Sequence, residues 1–299
     1  MQTARLKSRI KAAETKKFFI YISPWLICFC VFGIVPLVFS LYISFTQYNI
    51  SRPPVWCWFD NYVRIFQDFA FKKAVINTTL YVVIKVPLIM ILSLAAALLL
   101  NGNIKGKSAF RLLFYFPAVM PAVASVMVWV FIYEYEGGLL NMFLGIFNIE
   151  PVQWFDTKHA LGSIILMSLW GIGPGMVIYL AALQGVPRVY YEAIEIDGGN
   201  RFDSFVNITL PMISPVLLYQ FLMNLIAGIQ IFSEIYLATG GGPNNATISL
   251  NLLIYQYAFS NPIRMGLASA LAWVLLAVTL ILSLVTFKVS DKFTYYDGK

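Results

Sequence analysis

The stretch Tyr191–Pro211, YEAIEIDGGNRFDSFVNITLP, is a polar segment set between two long apolar runs. Just inside and before it, Val189, Ala193 and Ile196 recur at i, i+4 and i+7, which predicts a short helix with an apolar stripe. Arg188, Glu192 and Glu195 follow the same spacing and make a charged stripe beside it. Gly198 and Gly199 stop that helix, because glycine takes positive φ at no steric cost. Asn200, with Asp203 three residues on, predicts an N-cap for a second helix whose apolar face is Phe202, Phe205, Val206 and Thr209. Pro211 ends the unit and leads into the next apolar run.

The surroundings are those of a membrane protein. The 299 residues are 60% hydrophobic and only 12% charged, about half the charge of a soluble chain. That length holds six spans of about 20 to 25 residues with short loops. The apolar runs place them at 18–43, 74–100, 110–133, 160–183, 213–239 and 266–287. Met1–Lys17 carries six basic residues, as a secretory signal does, but the run after it is too long for a signal core and reads as an uncleaved first span. With the N-terminus inside, inner segments hold 14 of the 21 Lys and Arg, outer loops hold six, and Lys85 lies within a span. The positive-inside rule therefore puts both termini and the 187–211 segment in the cytoplasm. A net charge of +7 so distributed is a topology signal and not a nucleic-acid footprint. The chain divides into a basic cytoplasmic tail (1–17), a first span with its outer loop (18–73), a five-helix core (74–287) and a cytoplasmic tail (288–299).

The polar segment resembles the EAA loop of ABC importer permeases, whose pattern is E-A-A, three residues, G, nine residues, I-x-L-P. Glu192, Ala193, Gly198, Ile208, Leu210 and Pro211 fall in register, with Ile194 at the third position. The resemblance extends along the chain to the carbohydrate-uptake branch, the maltose/glycerol-phosphate type. It is carried by Asp60-Asn61-Tyr62, Leu99-Leu100-Asn101, Phe116-Pro117, and Thr239-Gly240-Gly241-Gly242-Pro243 followed by Thr247. It implies an all-α integral membrane protein of the type I importer fold, with span 1 packed outside a core of spans 2 to 6. The chain would be a non-catalytic permease subunit of the bacterial cytoplasmic (inner) membrane. Its implied partners are a second permease, an ABC ATPase dimer that binds the ATP and Mg, an extracytoplasmic sugar-binding protein and membrane lipid. Those six matching residues would form a coupling helix that transmits ATPase closure and flips the permease pair outward to receive a sugar. The resemblance also puts pocket positions at Ser168, Gly171 and Gly175 in span 4 and at Asn224, Gly228 and Ile231 in span 5.

Other motifs carry less. Gly102-Asn103-Ile104-Lys105-Gly106-Lys107-Ser108 mimics a phosphate-binding loop, but it is one residue short between the glycines and follows a membrane helix. His159 has no partner at metal-ligand spacing, and no catalytic constellation appears. Asn77-Thr78-Thr79 and Asn245-Ala246-Thr247 match the glycosylation pattern by coincidence. Gly171-Ile172-Gly173-Pro174-Gly175 predicts a broken helix near mid-membrane, and Gln220, Asn224, Gln230, Ser233 and Glu234 are too polar for lipid. Together they predict a translocation cavity between spans 4 and 5. An ion-coupled secondary transporter is the alternative, but it calls for internal repeats and several intramembrane carboxylates, where only Glu234 is found. Lys85 departs from the family, which has a small or apolar residue there. A charge in a span costs at least about 2.5 kcal/mol. The expectation is a structural Lys85–Glu234 pair; the other reading is a cavity cation for an acidic sugar.

Overall fold

The computed structural model describes residues 17–290; the tail residues 1–16 and 291–299 lie outside that range. Helix α1 (Lys17–Ser44) leads through a two-stranded hairpin, β1 (Thr46–Gln47) with β2 (Val55–Trp56), to α2 (Asp60–Gln67) and α3 (Phe69–Asn101). Next come α4 (Lys107–Val119), α5 (Ala122–Ile132), α6 (Leu139–Ile146), α7 (Ala160–Ser168) and α8 (Gly173–Gly185). Then follow α9 (Arg188–Ile196), α10 (Arg201–Ile229), α11 (Ser233–Ala238), α12 (Leu250–Phe259) and α13 (Met265–Ser290). Four of these helices are long and apolar enough to cross a membrane alone, and two bent pairs complete six spans among the described residues.

Two spans depart from the straight helices read in the sequence. The third bends by 102° between α4 and α5, because Met120 is extended ahead of Pro121. A proline forces that geometry on its predecessor by crowding its backbone. The fifth leaves helical geometry at Gln230–Phe232 and resumes as α11, so it is not one helix over 213–239. The fourth bends by 45° at a 3-10 turn, Leu169–Gly171, as the glycines and Pro174 predict. Elsewhere proline is absorbed without a break. The π turns Cys30–Ile34 and Phe205–Thr209 each lie just ahead of a proline, Pro36 and Pro211. A wider turn gives room to the carbonyl that the proline ring crowds, so the helix continues. Pro211 therefore lies inside α10 and does not end the polar unit.

Outer-loop motifs turn out to be anchors. Asn61 Nδ2 donates to Ser44 O at 2.9 Å and Thr46 O at 2.8 Å, and Tyr62 Oη pairs with Ser44 Oγ at 2.9 Å. These bonds fasten the hairpin to α2. Asn77 Nδ2 donates to the carbonyls of Asn245 (2.9 Å) and Ile248 (3.0 Å), and Thr247 Oγ1 donates to Gly242 O at 3.0 Å. Asn77 is buried, so the first glycosylation look-alike offers no open acceptor, and in the second the buried Thr247 hydroxyl is engaged within the turn. Span 1 packs chiefly on α13, where Trp273 Nε1 donates to Ser40 Oγ at 3.1 Å, and only 6% of its apolar window is covered.

The core is in two parts. One gathers Ile164, Ile235, Ile248, Leu252, Leu253 and Leu271 toward the outer loops. The other joins Ala96, Ala97 and Leu100 of α3 to Met176, Tyr179, Leu180 and Leu183 of α8, which recur at helical spacing. In lipid, such contacts depend on close approach and not on exclusion of water. Gly173 shows how close: a Cβ there would lie 2.4 Å from Phe114 O and 2.7 Å from Tyr115 Cα.

Candidate functional site

The polar segment folds as its local chemistry dictates. Gly198, at φ +81°, closes α9: Gly198 N donates to Glu195 O at 3.1 Å and Gly199 N to Ile194 O at 2.8 Å. This is the paired 5→2 and 6→1 pattern of a Schellman end. Gly199 is needed for space, since a Cβ would sit 2.8 Å from Ile194 Cγ1. Asn200 then caps α10. Its Oδ1 accepts from Phe202 N (2.8 Å) and Asp203 N (3.1 Å), while Asp203 Oδ2 accepts from Asn200 N at 2.8 Å, completing a capping box.

The faces of α9 resolve differently from a simple amphipathic reading. Tyr191 and Ile194 turn inward; Tyr191 joins the inner core with Ile208, and its hydroxyl pairs with Thr209 Oγ1 at 3.0 Å. The stripe Val189, Ala193 and Ile196 faces away from the chain, as does Phe202. Val189 is 69%, Ile196 86% and Phe202 71% exposed. Glu192 and Gly198 are exposed beside them, while Leu210 and Pro211 are half-buried at the root of α10.

A cavity of about 470 Å³ opens where the two cores part. Its walls come from three spans. Ser168, Gly171 and Gly175 line it from α7 and α8, and Asn224 and Ile231 from α10 and the exit beyond it, as expected. The third wall is α3, through Lys85, whose place in the cavity was the second of its two readings, and through Tyr81, Ile89 and Ser93, which the sequence reading did not assign. Their spacing of four keeps them on one helix face. Gly228 does not line the cavity: it is buried against α3, where a Cβ would meet Val82 Cγ2 at 3.1 Å. Gly175 does both, lining the cavity and packing on Ser93, whose Oγ would lie 2.8 Å from a Cβ. Gly171 is open, with nothing within 4 Å of a Cβ.

Polar groups in this cavity are partly held by the protein. Ser93 Oγ donates to Ile172 O at 3.1 Å, in the break of span 4, and Ser168 Oγ donates to Ile165 O at 2.7 Å. Lys85 Nζ donates to Asn224 Oδ1 at 3.2 Å. The expected Lys85–Glu234 ion pair is not formed; the pairs among the described residues are Arg64–Asp60 and His159–Asp156, both in outer loops. Contrary to the sequence reading, His159 does have a carboxylate neighbour, and its backbone N–H helps hold Asp156 below the usual carboxylate range. The phosphate-loop look-alike joins α3 to α4 with no strand before it.

Comparison with known proteins agrees with this geometry. Residues 89–293 match the family described as "Binding-protein-dependent transport system inner membrane component". The chain is 34% identical over 302 residues to the "Probable ABC transporter permease protein YesP" of Bacillus subtilis, covering 99% of this chain and 97% of that one. It is 33% identical over 289 residues to the "Trehalose/maltose transport system permease protein MalF" of Thermococcus litoralis, covering 95% and 97%. A subunit in the crystal structure of a bacterial ABC transporter involved in the import of the acidic polysaccharide alginate shares the fold, with a TM-score of 0.82 at 22% identity over 96% of this chain and 100% of that one. The chain belongs to the binding-protein-dependent transport system inner membrane component family and is a multi-pass permease subunit of an ABC importer.

Proposed function

We propose that this permease carries a sugar or oligosaccharide through the cavity bounded by α3, α7–α8 and α10, driven by a separate ATPase dimer that docks on the α9 segment. One observation carries the reading: two cavity walls are the direct continuations of that segment. Helix α8 ends at Gly185, two residues before the Pro187 N-cap of α9, and α10 starts within the capping box at Asn200. The Tyr191–Thr209 bond ties α9 to the base of α10. A push on α9 therefore reaches Gly175 and Asn224 through rigid helices. The outward stripe of Val189, Ile196 and Phe202 suits a groove on a partner, since exposed apolar patches mark contact sites. Glu192 would supply the polar contact at its edge. ATP and Mg would be bound by that partner, since the Gly102–Ser108 segment joins two helices with no strand before it.

Sugar as cargo is supported by the relatives, whose names include trehalose/maltose, lactose and diacetylchitobiose systems. The cavity chemistry suits it: Ser168, Gln220, Asn224, Gln230 and Ser233 offer amides and hydroxyls, with Gly171 leaving room for a ring. A second permease would complete the pathway, and a binding protein would deliver the sugar. The test is ATP hydrolysis by the reconstituted complex, stimulated by sugar-loaded binding protein. Glu192→Lys should leave the complex assembled and abolish the stimulation. Full stimulation in that variant, or uptake that needs a proton gradient and no ATP, would overturn the reading.

A further inference from the structure

The cavity contains two ionisable groups that the structure keeps out of contact. Lys85 of α3 and Glu234 of α11 both line it, yet they make no ion pair. Lys85 Nζ spends one donor on Asn224 Oδ1 at 3.2 Å. That oxygen is aimed by the rest of its own side chain, because Asn224 Nδ2 donates to Gln220 O at 2.9 Å. An ammonium has three donors, so this arrangement fixes the lysine and leaves donors open, while Glu234 acts on it through space from beyond ion-pair distance. Lys85 is only 9% exposed, in the middle of a span. A desolvated cation whose carboxylate neighbour stands off without contact gains from an anion that reaches its open donors. Amides and hydroxyls suffice for a neutral sugar, so a cation adds only selectivity for charge. Glu234, beside Ser233 and near Gln230, is free to accept hydrogen bonds from hydroxyls.

We propose that Lys85, positioned by Asn224, is a carboxylate-recognising subsite, and that the cargo of this permease is an acidic sugar of the uronate class. This rests on the reading of the cavity as a sugar path. The carboxylate takes the open donors of Lys85, and Glu234 with Gln230 holds ring hydroxyls.

The test uses the full complex: this chain with its second permease, its ATPase and its binding protein. The probes are short oligouronates and the same oligosaccharides with their carboxyls reduced to alcohols. Calorimetry on the binding protein comes first, and oligouronate should bind in preference to the reduced form. Uptake into proteoliposomes follows, read as the ratio of acidic to reduced sugar. Lys85→Met should lower that ratio at least about tenfold, the scale of one charge-assisted hydrogen bond, and Lys85→Arg should recover most of it. Lys85→Gln, which keeps a donor for Asn224, carries the same test if the methionine variant does not assemble. Three results overturn the inference and leave the sugar importer standing. They are a binding protein that takes only neutral sugars, an uptake ratio unmoved by every Lys85 substitution, and loss of assembly in Lys85→Met that Glu234→Leu restores. The last would make the two groups a structural pair. Import of neither sugar would remove the underlying reading as well.

Discussion

Replacing Gly198 by valine isolates the geometry of the coupling segment from its contacts. Gly198 sits at φ +81°, and nothing lies within 4 Å of a Cβ built there. A Cβ at this position therefore meets no neighbour, and the change acts first on the backbone. What it introduces is the left-handed backbone penalty, about 1–2 kcal/mol for an L-residue. The chain can relieve that strain only by giving up the bonds from Gly198 N to Glu195 O and Gly199 N to Ile194 O. Doing so re-aims α9 relative to the capping box at Asn200. A penalty of that size shifts the population of the correct turn by about five- to thirtyfold. Insertion and assembly depend on the spans, so the complex should purify normally. Sugar-stimulated ATP hydrolysis should fall by a comparable factor. Gly198→Asn should lose less, because asparagine tolerates the left-handed region. Equal, undiminished stimulation in both variants would refute the claim that this turn transmits ATPase closure.

Further expectations follow from the packing. Gly171→Trp should block uptake while the complex assembles, because the added side chain grows into open cavity space; full transport would place the path elsewhere. Gly228→Trp should instead reduce the yield of assembled complex, since its Cβ already meets Val82 Cγ2 at 3.1 Å; normal assembly with blocked transport would return Gly228 to the cavity. Gly173→Ala should destabilise the complex by about 1–3 kcal/mol, the usual range for overpacking, visible as a lower melting temperature with α4 displaced. Asn61→Ala should cost about 1–3 kcal/mol by stranding the buried carbonyls of Ser44 and Thr46, and proteolysis of the outer hairpin reports it.

The parts of this fold that the sequence discloses are the local ones. Gly198 as a helix stop and Asn200–Asp203 as a cap are decided within a few residues, and both stand as read. The break at Gly171–Gly175 is likewise written in glycine and proline. Pro121 carried an equally local signal, the extended residue ahead of a proline, but the apolar run around it reads as one continuous span. The exit at Gln230 announced itself only through polar side chains, which mark a cavity without saying that the backbone leaves the helix there. What lay beyond local reading was which helices meet. Tyr81 and Ser93 become a cavity wall, and Lys85 meets Asn224 in place of Glu234, because α3 packs on α8 and α10, and Gly228 is lost from the cavity for the same reason. Periodicity found the apolar stripe of α9 but could not say that it faces outward; the inward contacts of Tyr191 and Ile194 decide that.

The outward stripe offers the most direct measurement. Ile196 is 86% exposed at the end of α9 and makes no packing contact that a bulky replacement would disturb. A photocrosslinking amino acid placed at Ile196, in the complex assembled with its second permease and ATPase, reports what covers that side chain. The expected result is a covalent adduct with the ATPase subunit whose yield changes when ATP is bound. Crosslinking to lipid alone, or to no protein, would contradict the assignment of α9 as the segment that couples ATP hydrolysis to transport.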